Sequence, residues 1–234
     1  TLDTNRDGII DLYGILLSSS FLRWPVFALQ NGVNFTSVTR QPELVLKTFR
    51  TLHELLFHHR VATVSSPHRS RVNSDAFLLE KAAMVLTTTF EMADWINESP
   101  NFSPRIATMP FGSTQGTLLM ADAFMIPKTG NNPEIARQFL QCAVDTEIQT
   151  ALSKASNFLS VHPHVNQHVW SAHSLESMNI AVDGRLGNCH FLSALFPDFS
   201  VMEELEMQME LFWSGLDSAE RLCENWLQLQ LEAA

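Results

Sequence analysis

Residue patterns that mark common enzyme classes are missing from this chain of 234 residues. It contains no phosphate-binding glycine loop, no dinucleotide-binding glycine fingerprint, no nucleophile-elbow serine and no His-Glu-x-x-His zinc motif. Carboxylates are plentiful, but no spacing singles out a pair for general acid and base catalysis. We therefore expect a protein that is not an enzyme and that needs no organic cofactor.

Cysteines, long apolar runs and basic residues are also scarce. The chain has only three cysteines, Cys142, Cys189 and Cys223, which are too few and too widely spaced for a disulfide framework or a zinc Cys-x-x-Cys pair. No run of about 18 apolar residues is available to span a bilayer. Fifteen Lys and Arg stand against 25 Asp and Glu, which gives a net charge of −10, and the basic residues are scattered. Because phosphate binding needs a basic face, this composition argues against nucleic acid as a partner.

The negative charge is concentrated at the end of the chain. Residues 198–234 hold nine acidic residues and one basic residue, Arg221. This density indicates the solvated face of C-terminal helices or, alternatively, a surface that attracts a basic partner.

Short apolar runs alternate with amphipathic segments, and this alternation predicts an α/β fold. Residues 42–58 are the clearest amphipathic segment, with Val45, Phe49, Leu52 and Leu56 at helical spacing behind Pro42. Asn132 and Asp217 are predicted to cap later helices, and Gly215 is predicted to end one. The predicted strands cover 13–17, 83–86, 105–109 and 117–126. The predicted helices cover 22–32, 42–58, 77–84, 90–97, 132–144, 145–155, 200–213 and 217–231.

The sharpest local motif lies at residues 3–11, with the sequence DTNRDGIID. Alternate residues supply the oxygens that a hard cation prefers, and Gly8 allows the tight turn. The twelfth position, where a calcium loop normally has a bidentate Glu, is Gly14. Two interpretations stay open, a structural Ca²⁺ site and an ion-free loop closed by Asx turns. The candidate ligands are Asp3, Asn5, Asp7, the main-chain carbonyl of Ile9, and Asp11.

Several aromatic residues lie beside polar turns. Trp24 follows the serines 18–20, and Phe90 and Trp95 follow the threonines 87–89. An exposed ring can stack on the C–H face of a sugar while nearby hydroxyls bond its OH groups. Each ring alone is more often a core residue than a ligand platform.

Five motifs in order resemble the C-terminal part of the extracellular solute-binding proteins of ABC transporters, the family that includes maltose-binding proteins. The chain departs from the family pattern at Glu80, where a glycine is usual, and at Phe90, where a tryptophan is common. The motifs are the calcium-like loop and strand at 3–14, the strand, polar turn and Trp-Pro helix at 15–32, the segment 77–84, the segment 126–149, and the closing motif 215–220.

The resemblance implies a type II periplasmic-binding-protein fold with two α/β lobes and ligand bound in the cleft between them. On this mapping, residues 1–110 and 165–234 form the C-terminal lobe. Residues 111–164 are a returning segment of the N-terminal lobe with the hinge crossings. The residues implied for ligand contact are Phe21, Trp24, Phe90 and Gln115.

The function implied is capture of a sugar or sugar-like solute and its delivery to an ABC permease in the membrane. The implied location is periplasmic or extracellular, with lipid anchoring through a segment preceding Thr1 as one form of attachment. A sensory domain that keeps the same fold and signals to a receptor is the alternative.

Overall fold

Two compact units make up the chain. The computed structural model describes residues 2–65, 75–88, 91, 102, 104, 107, 109, 112–120, 123–156, 159–169 and 189–233. Unit 1 comprises Thr1–Thr87, Met109–Leu119 and Arg185–Ala234, and unit 2 comprises Thr88–Thr108 and Met120–Gly184. The two units are defined by contacts within this chain alone. The lobe boundaries implied at residues 110 and 164 therefore stay a prediction.

Unit 1 is built on parallel strands. Strand β1 (Tyr13–Ser18) lies between β2 (Ala62–Ser65) and β3 (Ala82–Val85), and both neighbours run parallel to it. Parallel neighbours need helical crossovers, which residues 19–61 supply between β1 and β2. A second pair, β4 (Thr117–Leu119) and β5 (Cys189–Phe191), is also parallel. The predicted α/β class is therefore confirmed in unit 1.

The helices follow the predicted amphipathic segments closely. The segment predicted as one helix over 42–58 is α-helical to His53 and continues as a single π-helical turn, Glu54–His58. No helix in the described part of the chain is both long and apolar enough to cross a membrane. The α-helices are α1 (Pro25–Gln30), α2 (Pro42–His53), α3 (Asp75–Leu78), α4 (Pro133–Ala143), α5 (Thr146–Ser156), α6 (Pro163–Val169), α7 (Leu192–Leu195), α8 (Phe199–Trp213) and α9 (Ala219–Glu232), and a 3-10 helix covers Phe35–Arg40.

The core of unit 1 is aromatic. Trp226 of α9 lies edge-on to Trp24 with ring centroids 5.7 Å apart, and its centroid is 5.8 Å from that of Phe49 in α2. Phe49 in turn contacts Phe212 of α8. All four side chains have 0% exposure. Burial of a large apolar side chain contributes roughly 1.5–3 kcal/mol, so this cluster fixes α2, α8 and α9 against one another.

Some predicted boundaries differ from the structure. Asn132 occupies the N-cap position before α4, as predicted, although its side chain makes no capping hydrogen bond. The helix predicted over 77–84 ends at Leu78 and is followed by β3. The cap of α9 is Ser218, whose hydroxyl accepts from the Arg221 N–H at 3.1 Å, whereas Asp217 accepts only from the Ser218 N–H. The strand predicted over 117–126 ends at Leu119. Gly215, with φ of +75°, ends α8 as predicted. The predicted strand 105–109 and helix 90–97 lie almost entirely outside the described residues.

A short segment of unit 1, residues 112–116, holds the C-terminal end of α1. Thr114 donates through its N–H to the Gln30 carbonyl at 3.0 Å and through its hydroxyl to the Leu29 carbonyl. A Cβ on Gly112 would lie 2.4 Å from that same Gln30 carbonyl oxygen. The approach therefore requires glycine at this position, and it satisfies carbonyls that a helix end leaves unpaired.

Unit 2 contains α4, α5 and α6, and apolar side chains on the first two of these helices are exposed. Ile135 and Phe139, one turn apart on α4, are 64% and 55% exposed. Ile148 and Leu152 repeat that spacing on α5, at 43% and 45% exposure. We call these four side chains the apolar face of α4 and α5.

Candidate ligand-binding site

The carboxyl ends of β1, β2 and β3 meet at one edge of the sheet, which is where open α/β sheets bind ligands. Ser18 and Ser65 end β1 and β2 as partners in the strand register. Just beyond the end of β3, the Leu86 N–H still reaches the Leu16 carbonyl at 3.5 Å. Thr87 follows at the same edge and is half-buried. The sheet thus gathers hydroxyl side chains from three strands, and we call this set the hydroxyl edge.

Hydrogen bonds within the turn after β1 fix the hydroxyl edge. Ser18 accepts from the Ser20 N–H at 3.3 Å, and Ser20 accepts from the Leu22 N–H at 3.1 Å. Ser65 donates to the Leu17 carbonyl of β1 at 3.3 Å, and the Ser19 hydroxyl donates to the Ser65 carbonyl at 3.5 Å, which ties β2 to the turn. A hydroxyl retains donor capacity after it accepts one such bond, so the half-buried Ser20 can still bond to ligand OH groups.

Two of the predicted ligand residues lie in the core. Phe21 is 3% exposed and lies edge-on to Trp24 and Phe196, with centroids 5.2 Å and 5.0 Å away. Trp24 has no exposed surface at all. Neither ring presents a face to a ligand in this conformation, because each is covered by other side chains. In the structure both rings pack beneath the turn in the core. Their burial does not support the prediction that they contact the ligand directly.

Leu22 is the side chain of this turn that the sequence analysis missed. It is 41% exposed, whereas its neighbours Phe21 and Arg23 are buried at 3% and 4% exposure. The turn from Ser20 is helical, since the Arg23 and Trp24 N–H groups both reach the Ser20 carbonyl. In this turn only Leu22 is exposed among the large side chains from Phe21 to Trp24. No spacing signal in so short a segment identifies which side chain is exposed.

The other two predicted ligand residues are not brought to this edge. Phe90 lies outside the described residues. Gln115 is half-buried in the segment that holds the end of α1, and no hydrogen bond within the described part of the chain joins it to the serine turn. Ligand contact by both residues stays a prediction.

The loop at residues 3–11 is closed by its own side chains. Asp3 accepts from the Asp7 N–H at 3.2 Å and from the Gly8 N–H at 2.9 Å, and Asp7 accepts from the Ile9 N–H at 2.7 Å. The Thr4 hydroxyl donates to Asp11 and, as the largest influence, lowers the pKa of that carboxyl group. These bonds are the Asx turns of the ion-free interpretation.

The same loop retains much of a calcium-ligand set. Asp3, Asn5 and Asp7 still carry free oxygen lone pairs, because each carboxylate or amide oxygen can accept more than one bond. Within the described residues, however, no three His, Cys, Asp or Glu side chains converge as a metal-ligand group. Ca²⁺ binding by Asp3, Asn5, Asp7, Ile9 and Asp11 therefore stays a prediction.

Solved structures of solute-binding proteins share this fold. The maltose/maltodextrin-binding domain from Bdellovibrio bacteriovorus, bound to maltotriose, matches 100% of the chain at 18% identity with a TM-score of 0.70. An ABC substrate-binding protein from Listeria monocytogenes in complex with cycloalternan matches 100% at 15% identity and a TM-score of 0.77. A solute-binding protein from Thermotoga lettingae bound with α-D-tagatose matches 94% at 13% identity and 0.70. The predicted periplasmic-binding-protein fold is confirmed.

The chain spans less than two thirds of these proteins. It covers 63% of the Bdellovibrio domain and 60% of each of the other two. No curated protein sequence gives a significant match.

A family model agrees with the structural likeness. The model described as bacterial extracellular solute-binding protein matches residues 12–177, which is most of the chain. The match includes β1, the hydroxyl edge and the helices α1–α6. The chain belongs to the family of bacterial extracellular solute-binding proteins.

Proposed function

We propose that this chain is part of the solute-binding component of an ABC importer, and that the solute is a sugar or a sugar-like molecule. The family match over residues 12–177 carries the proposal. Three structural relatives are bound to maltotriose, cycloalternan and tagatose, which are all carbohydrates. The work of such a protein is binding, so we propose capture and release of the solute without chemical change.

The hydroxyl edge is suited to one wall of a sugar site. Ser20 and Thr87 are half-buried hydroxyls that can exchange hydrogen bonds with sugar OH groups. Leu22 provides exposed apolar surface beside them, as a sugar's C–H face requires. Phe21 and Trp24 are buried in the core behind this wall, so we propose that they support it and that Leu22 provides the apolar contact.

Calorimetric titration of the protein with mono-, di- and oligosaccharides tests the proposal. We expect heat of binding for at least one saccharide, and we expect Leu22→Ala to weaken it about tenfold, since burial of an apolar side chain contributes roughly 1.5–3 kcal/mol. Leu79→Ala is the matched control, because Leu79 is 70% exposed and lies before β3, at the opposite end of that strand. Absence of heat with every saccharide would contradict a role in sugar capture.

Delivery to a membrane permease and a periplasmic or extracellular location belong to the same proposal. Both are supported by the family description, which is of extracellular proteins. Lipid attachment would keep such a protein near its permease, and we include it as a further expectation. Release of the protein by mild osmotic shock, or its retention in the membrane fraction until detergent is added, separates the free form from the anchored form.

A further inference from the structure

A shallow pocket in unit 1 lies away from the hydroxyl edge. Its volume is about 270 Å³, and it is lined by residues at the amino ends of β1 and β2 and by the ends of two helices. Tyr13 and Ala62 are the first residues of their strands, whereas the hydroxyl edge is formed where the same strands end. The pocket is therefore separate from the site proposed for the solute. Its volume is just below the range of about 300 Å³ and above that holds drug-sized ligands, so it fits a smaller molecule.

One cation dominates this pocket. Arg60 is exposed and lines it, and no Asp or Glu is found among the described lining residues, although the whole chain has a net charge of −10. Among the described residues Arg60 makes no ion pair. A guanidinium presents its donors in a fixed fork that matches a carboxylate. A local excess of positive charge in an acidic protein favours an anionic ligand.

The backbone around Arg60 is held in an unusual conformation. The π-helical turn Glu54–His58 is closed by a bond from the His59 N–H to the Glu54 carbonyl at 2.8 Å. Arg60 then has φ of +53°, which is left-handed and rare for a residue other than glycine, before Val61 returns to bond the Leu55 carbonyl. π-Turns and strained residues of this kind concentrate at functional sites.

The remaining lining residues provide hydroxyls and a flat apolar wall. The side-chain hydroxyls of Tyr13 and Thr63 make no hydrogen bond within the part of the chain that the structure describes, and both residues are half-buried. Phe57, 38% exposed, and Trp213 supply aromatic surface. An anion with a flat apolar body would satisfy both kinds of lining.

We propose that this pocket is a second binding site, which takes a small organic carboxylate with a flat or ring-shaped body. Arg60 binds the carboxylate. Tyr13 and Thr63 donate hydrogen bonds to its oxygens, and the rings of Phe57 and Trp213 contact the ring of the ligand. The site is independent of the proposed function, because it shares no residue with the hydroxyl edge.

Tyr13 is the only tyrosine of the chain, which makes it a direct reporter. Selective isotope labelling of tyrosine gives one set of ring signals in an NMR spectrum, and these can be followed while phenylacetate is added to the full chain. We expect saturable shifts of the Tyr13 signals. Arg60→Gln should weaken binding at least about tenfold, since it removes the charged hydrogen bonds to the carboxylate. Phenylacetamide, which has the same ring without the charge, should bind at least tenfold more weakly.

Two controls separate this site from non-specific binding and from sugar capture. Arg40→Gln removes an exposed arginine at the end of the 3-10 helix and should leave the titration unchanged. Maltotriose should leave the Tyr13 signals in place whether or not it binds elsewhere. The proposal is overturned by Tyr13 signals that do not move with phenylacetate, by equal binding in Arg60→Gln, by equal binding of phenylacetamide, or by a comparable response to maltotriose.

Discussion

Glu80 shows at the level of one residue how the chain departs from its family. The family pattern usually has glycine here, and Glu80 has φ of +58°, in the left-handed region that disfavours side chains. The turn is held by two backbone hydrogen bonds. The Glu80 N–H donates to the Phe77 carbonyl at 3.0 Å, and the Lys81 N–H donates to the Ala76 carbonyl at 2.7 Å. Glu80 thus holds a backbone conformation that suits glycine, at a cost in stability.

Glu80→Gly should therefore stabilise the protein. Left-handed backbone costs an L-residue roughly 1–2 kcal/mol, and the greater unfolded-state entropy of glycine offsets part of this, so we expect a gain of about 1 kcal/mol. Chemical denaturation measures it as a higher midpoint at unchanged slope. Glu80→Ala is the control, since it removes the carboxylate but leaves a Cβ in the same strained conformation. Equal effects of the two variants would attribute the change to charge and not to backbone strain.

The loop at residues 3–11 gives a second prediction at this scale. If Asp3, Asn5 and Asp7 turn their free lone pairs toward a cation, millimolar Ca²⁺ should raise the midpoint of thermal unfolding and a chelator should reverse the rise. Asp7→Asn should abolish the effect, because it removes one carboxylate while it keeps an acceptor for the Ile9 N–H. If Ca²⁺ leaves the thermal midpoint of the unaltered protein unchanged, the calcium prediction is wrong, and the loop is closed by its own hydrogen bonds without a cation.

Whole helices could be predicted from the sequence where the segment is long and apolar residues recur along one face. Helix α2 begins at Pro42 as expected, and its apolar positions Val45, Phe49 and Leu52 are all at 0% exposure. The turn after β1 was not predictable in this way, because Phe21, Leu22 and Trp24 are too close together for any helical period to separate inward from outward side chains. The candidate site depends on that turn. The sequence could therefore predict that the turn contributes to the site, but it could not predict that Leu22 is its exposed side chain.

Helix ends provide the prediction at the scale of elements. The Ser218 hydroxyl caps α9 and joins the helix to the chain before it, so Ser218→Ala should destabilise the protein by about 1 kcal/mol. Asn132→Ala is a matched control, because Asn132 occupies the same position before α4 and makes no capping bond. Denaturant unfolding of both variants should show a loss for Ser218→Ala alone. A comparable loss in Asn132→Ala would contradict the assignment of the caps.

The whole molecule is acidic, yet the apolar face of α4 and α5 in unit 2 is exposed. Ile135, Phe139, Ile148 and Leu152 form this apolar face, and Glu134 and Arg137 beside it are paired with each other. Apolar patches of this kind on a protein surface usually mark an interface. We propose that the face packs against the part of a complete solute-binding protein that the structural relatives have beyond the 60–63% covered here.

The double change Ile135→Glu with Phe139→Glu tests this proposal in two settings. In the chain of 234 residues we expect less self-association by analytical ultracentrifugation and less binding of a hydrophobic dye, with the unfolding of unit 1 unchanged, because the face is exposed there. In a longer protein that supplies the remaining segment, the same change should destabilise the fold, since it buries two unpaired charges. Arg137→Glu, on the same helix but outside the face, should have neither effect. A double variant that is tolerated equally well in both settings would show that nothing in the longer protein covers α4 and α5.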